Sequence, residues 1–313
     1  MILFTADWHI KLGQKNVPKA WANNRYELFF KQLKDIEYSL HIIGGDIFDR
    51  MPSLEELHIF FKFIGQVDKP TIIFAGNHEA SKKNETFFTV LKEVTESLNN
   101  LVTVVCGTTT VYDKFTILPY ECLHRKNSIE DCPQDLPLFT HVRGEIPPHV
   151  KPEVDLARLQ NFPIVYAGDL HSHSNTQRNI VYPGSPMTTS FHRNLVETGY
   201  LLIDEDDLTK WSWHKFELPQ LLRKTVEDTK DMVATEFHHT IYEIEGDLQQ
   251  LSGIANTELL DKKIVRRNSE VTVDLTNKSI QEELEAYLKE VLLLPPETTT
   301  RALEVFNANF KGS

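Results

Sequence analysis

The chain has 313 residues and 41% hydrophobic content, enough for one substantial core and a smaller domain without any need for disorder. Its formal net charge of −12 argues against a protein that grips nucleic acid by its overall field, because that mode needs many Lys and Arg contacts. Three cysteines, Cys106, Cys122 and Cys132, are too few and too odd in number for a disulfide framework, so a reducing compartment is expected. The sequence opens directly into a strand at Ile2, with neither a charged-then-apolar leader nor a long apolar span. A cytoplasmic protein without membrane association is expected.

Taken in chain order, five short apolar runs each end in a burst of Asp, Asn or His. Ile2-Leu3-Phe4 precedes Asp7 and His9, and His41-Ile42-Ile43 precedes Asp46. Thr71-Ile72-Ile73-Phe74 precedes Asn77 and His78, Leu138-Phe139-Thr140 precedes His141, and Pro163-Ile164-Val165-Tyr166 precedes Asp169 and His171. β-Branched and aromatic runs bounded by Gly or Pro predict buried strands. In open α/β sheets ligands gather outside the carboxyl ends of strands, so residues spread over half the chain are expected to meet in one pocket. Between them, residues 54–64 and 87–94 predict two unusually apolar helices. Their aromatic surface exceeds what one buried face requires, which leaves core packing and a homodimer contact through helices near 53–64 and 85–98 as the two readings.

Two further strands, 199–203 and 210–216, close this part of the chain. After Pro219 the bursts stop and a smaller α+β unit is expected, with a strand at 240–244, a helix near 248–262, and strands around 264–265 and 271–273. It carries Lys262, Lys263, Arg266 and Arg267, either a solvated charged face or a contact to a phosphate backbone. Ser279 followed by Glu282 has the form of a capping box. An amphipathic helix through Ile280, Leu284, Tyr287, Leu288 and Val291 then stops before Pro295-Pro296, and a second helix near 298–309 would expose Leu303 and Phe306. Such a hairpin packs on its own chain or docks into a partner's groove. The expected division is 1–218, 219–275 and 276–313.

The bursts supply hard cation ligands. Asp7-x-His9 puts a carboxylate and an imidazole on one side of an extended segment, and Asp46 has two oxygens with which to bridge two ions. Asn77 offers a neutral carbonyl oxygen, while His141, His171 and His173 offer imidazole nitrogens. A mixed nitrogen and oxygen set suits manganese, iron or zinc better than calcium. Bound divalent ions would reverse the local sign of an acidic pocket, so a DNA substrate stays compatible with the net charge.

The ordered set DxH, GD, GNH, a lone His and HxH resembles the calcineurin-like metallophosphoesterase superfamily over roughly 1–216. That resemblance implies an α/β (α+β sandwich) fold, two mixed β-sheets stacked between helices, with a dinuclear site that activates water for attack on phosphorus. Carried over by position, one ion would take Asp7, His9, Asp46 and His173, and the other Asp46, Asn77, His141 and His171. His78 would instead protonate the leaving oxygen, the general-acid role an imidazole fills near neutral pH. Within the superfamily, TADWHI, the following helix with Arg25, GDIFD with Pro52, AGDLHSH, and Tyr182-Pro-Gly-Ser185 with Thr189-Ser-Phe191 resemble the SbcD nuclease family, especially its short phage members. The resemblance implies a manganese-dependent DNA nuclease (Mg2+, Fe2+ or Zn2+ being the other candidate ions) with a small DNA-steering cap. It also implies a C-terminal helical pair that docks on an SbcC-type ATPase.

Two departures stand out. Glu79 occupies a position where many relatives have Asp, and the Thr188 neighbourhood lacks an Arg, with His192 and Arg193 as substitutes for phosphate contact. The GGDIFDR and AGNHE segments also resemble protein phosphatases in part, which keeps a phosphatase of phosphoproteins or small esters, using Arg50 on the phosphate, as the rival function.

Overall fold

The computed structural model describes residues 1–82, 84–266 and 278–309. The chain divides into two compact units, Met1–Leu221 and Leu222–Ser313. The first is an α/β sandwich of two mixed sheets. One sheet has six strands in the order Trp211–Lys215, Gly199–Ile203, Ile2–Thr5, Leu40–Gly44, Thr71–Phe74 and Val102–Val105. The last four run parallel, and the two late strands join antiparallel. The other sheet has the order Ile180–Val181, Val165–Gly168, Leu138–His141, Thr116–Leu118 and Thr110–Val111.

Period-two alternation sorts the side chains between layers. Ile2, Phe4, Ile42, Ile72 and Phe74 point inward to meet Phe139 and Tyr166 of the other sheet. Their neighbours Leu3, Ile43 and Ile73 point outward beneath helices Lys19–Lys34, Leu54–Ile64 and Phe88–Leu98. Phe4 meets Phe139 edge-on with ring centroids 5.3 Å apart, and Phe139 stacks on Tyr166 at 5.0 Å. Burying each such ring contributes roughly 1.5–3 kcal/mol, so this seam is a principal source of cohesion between the sheets.

Register then decides where the polar bursts fall. Thr5 lies opposite Ile43, and Gly44 opposite Phe74, so these parallel strands end at one edge of their sheet. In the other sheet Gly168 lies opposite His141. The two edges come together: His141 Nδ1 is 2.8 Å from Gly44 O, and a Cβ on Gly168 would stand 2.5 Å from that same oxygen. Only glycine permits this approach.

In the second unit, strands Leu221–Val226, His239–Gly246 and Leu260–Val265 form a three-stranded sheet around Ile244, Leu251 and Leu260. The helix expected over 248–262 is corrected here. It spans only Leu248–Ser252, capped by Asp247 and Gln250 and stopped at Gly253, and residues from Leu260 onward pair as a strand. The strand expected at 271–273 lies outside the described residues. Ser279 caps Ile280–Ala286 through the expected box, the chain continues as one wider turn over Tyr287–Val291, and Pro296–Asn309 packs back as a helix. Leu303 and Phe306 are half-buried rather than exposed, whereas Val305 is exposed, because the return helix turns their side toward its neighbour. Among the described residues no helix is long and apolar enough to cross a membrane.

Candidate metal centre

Four of the nine non-glycine residues with positive φ among those described, Asp7 (57°), His9 (45°), Asp46 (50°) and Asp169 (101°), stand at this shared edge. Left-handed backbone is costly for residues with a Cβ and concentrates at functional sites. Neighbouring segments hold it in place. Asp7 N donates to Gly45 O at 3.0 Å, His9 N to Asp46 O at 2.9 Å and Ile10 N to Ile47 O at 2.7 Å. Buried Glu79 ties the next loops together by accepting from Asp46 N (2.9 Å), Phe48 N (2.9 Å) and Gly76 N (2.8 Å). A Cβ on Gly76 would sit 2.3 Å from Asp46 Oδ1 and 2.7 Å from the His141 ring, so the GNH loop comes close only because that residue is glycine.

The donor atoms converge. His9 Nε2 is 3.0 Å from His171 Nε2 and 3.7 Å from Asp46 Oδ2, and His141 Nε2 is 3.4 Å from that same carboxylate oxygen. Among the described residues three groups are able to hold an ion: Asp7, His9 and His171; His9, Asp46 and His78; and Asp7, Asp46 and His141. The Asn77 amide atom that faces them lies 2.9 Å from His141 Nε2, 3.1 Å from Asp46 Oδ2 and 3.2 Å from Asp169 Oδ1. The two orientations of that amide differ in what they offer the cluster. A nitrogen there donates to all three, whereas an oxygen there is one more acceptor in a ring of acceptors, the arrangement a cation requires.

Second contacts orient the rings. His141 Nδ1 bonds Gly44 O and His171 Nδ1 lies 3.1 Å from Thr189 Oγ1, which turns each Nε2 toward the cluster. Burial raises the Asp7 carboxyl well above the usual carboxylate range. Burial also opposes the charge of Asp46, but His141, His9 and His78 outweigh it and hold that carboxyl below the usual range. Burial and the neighbouring His9 push His171 down to about 3, leaving it a neutral imidazole, and burial together with Asp46 pushes Glu79 up to about 7. Carboxylates buried together in this cluster carry a heavy desolvation cost that divalent cations offset, so the residues present fit such ions.

Of the residues singled out in the sequence, Asp7, His9, Asp46, Asn77, His141 and His171 are brought together. His173 is not among them. Its Nδ1 is 2.7 Å from Tyr182 O, its ring stacks on Trp213, and it belongs to none of the ion-holding groups among the described residues. The residue that sequence reading passed over is Asp169, with a carboxylate 5% exposed and facing Asn77 and His141. A signal was present, since Gly168-Asp169 follows its strand as Gly45-Asp46 follows its own.

His78 stands at the rim. Its Nδ1 lies 2.5 Å from Asp49 O, its Nε2 faces Asp46 Oδ2 at 3.9 Å, and its ring meets that of His9 edge-on. Arg50 pairs with Glu56 at 3.2 Å and with Asp49 at 3.8 Å. His192 lines a cleft of about 370 Å³ beside the cluster, together with Asp169, His171, Met187 and Thr189, and Arg193 is exposed. The basic residues of the second unit are engaged internally: Lys262 with Glu243 at 2.8 Å, Lys263 with Ile254 O at 2.6 Å, and Arg266 with Glu227 at 2.9 Å. A cation already paired within the protein has less to offer a phosphate. Arg267 lies outside the described residues.

Two stacked mixed sheets with buried carboxylates and imidazoles at their joined edges define a metal-dependent hydrolase of phosphate esters. The calcineurin-like phosphoesterase pattern matches residues 1–174, and the chain belongs to that family. It is 40% identical over 307 residues to the probable exonuclease subunit 1 of Escherichia phage T5, covering 93% of this chain and 92% of that one. Among solved structures it is similar to TT1561 of Thermus thermophilus, with 15% identity, a TM-score of 0.45, and coverage of 68% of this chain and 97% of the other.

Proposed function

We propose that this enzyme is the manganese-dependent DNA nuclease subunit of an SbcCD-like recombination and repair complex in the host cytoplasm. It would cleave phosphodiester bonds as an exonuclease at duplex ends and an endonuclease on single strands or hairpins. The observation that carries the reading is the 40% identity, along nearly the whole chain, to a protein named as an exonuclease subunit. Residues 1–218 would form the nuclease domain, 219–275 a cap and 276–313 the segment that docks on an SbcC-type ATPase.

Asp7, His9, Asp46 and His171 would hold one ion, and Asp46, Asn77 and His141 the other. When bound, the ions supply charge for the phosphate oxygens and a water acidic enough to attack phosphorus. The protein's own part is to orient and to move a proton. His78 Nδ1–H donates to the Asp49 carbonyl, so the second proton of its imidazolium is on Nε2, facing the cluster and ready for the leaving oxygen. The cleft past His171 and Thr189 is where the adjoining nucleotide would rest, with His192 and Arg193 near its phosphate. Helix Phe88–Leu98 presents Val90 (77% exposed), Val94 (55%) and Leu98 (51%) one turn apart, and this apolar stripe is the proposed homodimer face.

The test compares linear duplex DNA with p-nitrophenyl phosphate as substrates, with manganese and with EDTA. Manganese-dependent shortening of the duplex that far outpaces ester hydrolysis is expected. Efficient ester hydrolysis with intact DNA would assign the enzyme to the phosphatases instead.

A further inference from the structure

A nuclease has to meet more of its substrate than the phosphate it attacks, because every neighbouring link of the strand brings a negative charge toward an acidic pocket. The chain's net charge of −12 offers no general attraction, so placed cations must supply it. Three long cations follow cluster residues within four positions: Lys11 after His9, Arg50 after Asp46 and Arg143 after His141.

They differ in which part of the head group is spent. Lys11 gives its ammonium to Asp49 at 2.7 Å. Arg50 uses both terminal nitrogens, Nη2 on the buried Glu56 carboxylate at 3.2 Å and Nη1 toward Asp49 at 3.8 Å. Arg143 is instead held along one side, with Nε 3.1 Å from Asp169 Oδ2 and Nη2 3.1 Å from Asp169 Oδ1. A guanidinium has five N–H donors in one plane, and this pairing takes two, leaving Nη1 on the far edge. The side chain is 41% exposed. Its root is fixed as well, since Arg143 N donates to Glu153 Oε1 at 2.7 Å and Tyr120 Oη donates to Glu153 Oε2 at 3.1 Å. A head group already held in plane loses little freedom when it takes a further partner. Asp169 turns its other side to Asn77 and His141, so the guanidinium stands one carboxylate out from the cluster. That is the place of a neighbouring phosphate rather than of the one under attack.

We propose that Arg143 binds, through Nη1, the backbone phosphate next to the scissile one, and so makes the centre prefer a nucleic-acid strand over a single ester. The inference rests on the nuclease reading above.

The full-length chain with saturating Mn2+ is mixed rapidly with short fluorescent single strands, and binding is read by anisotropy before cleavage. Arg143→Gln should bind roughly 10-fold more weakly, the weight of one charge-assisted contact. Its log K should also fall less steeply with log salt, by about 0.7, the share of one phosphate on a single strand. Arg143→Lys, which keeps the charge, should recover most of that slope. In parallel, one phosphate at a time is replaced by an uncharged methylphosphonate. Wild type should lose about 10-fold at one position beside the scissile link, and Arg143→Gln should lose nothing more there. Hydrolysis of bis(p-nitrophenyl) phosphate, an ester with no neighbouring phosphate, should suffer several-fold less in the variant than hydrolysis of DNA. A wild-type salt slope in Arg143→Gln would overturn the proposal, as would a loss equal to that of wild type at every methylphosphonate. Equal losses on DNA and on the small ester would overturn it too, by making Arg143 a support of the metal centre. Should the glutamine variant fail to fold, the substituted strands on wild type decide, and indifference to charge at both flanking positions ends the proposal. A wild-type chain that hydrolyses the ester and leaves DNA intact would instead bring down the nuclease reading itself, and this inference with it.

Discussion

Asn77 and His78 are adjacent, yet the backbone at the end of their strand sends one side chain into the ring of acceptors and leaves the other at the rim. His78 is 37% exposed and anchored through Nδ1, with Nε2 facing Asp46 and the backbone N–H donating to the same carboxylate at 2.9 Å. His78→Ala is therefore expected to lower the cleavage rate by about 10²–10⁴-fold, the usual contribution of a general acid, while Mn2+ binding stays as in wild type. A variant that cleaves at the wild-type rate would remove His78 from proton transfer. The other histidines show what spacing alone reveals. Asp7, His9, Asp46 and Asn77 were legible because each follows a strand that can be read from its β-branched run. Which of Asp169, His171 and His173 turns inward was not legible, because left-handed backbone at Asp169 breaks simple alternation there, as it does at Asp7, His9 and Asp46, whose place was read from the strand before them and not from alternation.

Helix Leu54–Ile64 illustrates the next scale. Ser53 and Glu56 cap it reciprocally, and Glu56 also accepts from Leu12 N at 2.8 Å and pairs with Arg50, so one carboxylate joins the helix start to the loop that follows His9. Burial opposes the charge of Glu56, but the amides of Ser53 and Leu12 and the nearby Arg50 outweigh it and lower its carboxyl below the ordinary value. A depressed folded-state value means that this stability is fully present above the unfolded carboxylate range and is lost as pH falls through the folded one. Glu56→Gln should therefore lower the melting temperature at about pH 7, with the gap to wild type closing as pH falls from about 5 toward 3. A gap that stays constant over that window would show that packing, and not the charge, carries the effect. Elements marked by an unbroken apolar, β-branched run, such as 2–5 and 71–74, or by helical spacing, such as 54–64, were readable in the sequence. The pairs Ala80–Lys82 with Glu85–Thr86 and Thr110–Val111 with Thr116–Leu118 were not, since two or three residues hold no period and their pairing comes from tertiary context. The expected helix at 248–262 failed for a related reason: Gly253 ends it after five residues, and the strand from Leu260 gains more by pairing with His239–Gly246.

At the scale of the whole chain, every residue of the metal centre belongs to the unit Met1–Leu221, whereas the terminal helices belong to the other unit. Their apolar residues are divided. Ala286 and Leu288 are buried where the two helices pack together, but Ile280 (73% exposed), Leu293 (62%) and Val305 (57%) remain open to solvent. A short hairpin that spends part of its apolar surface on itself and keeps large side chains outside has the form of a segment that seats in a partner's groove. Removing residues 279–313 should thus abolish co-purification with an SbcC-type ATPase while leaving manganese-dependent cleavage by the subunit alone close to that of the full chain. Both halves of the outcome matter, because they separate docking from folding: loss of cleavage as well would mean that the hairpin supports the fold of the enzyme. Association that survives the deletion would move the ATPase contact elsewhere on the molecule.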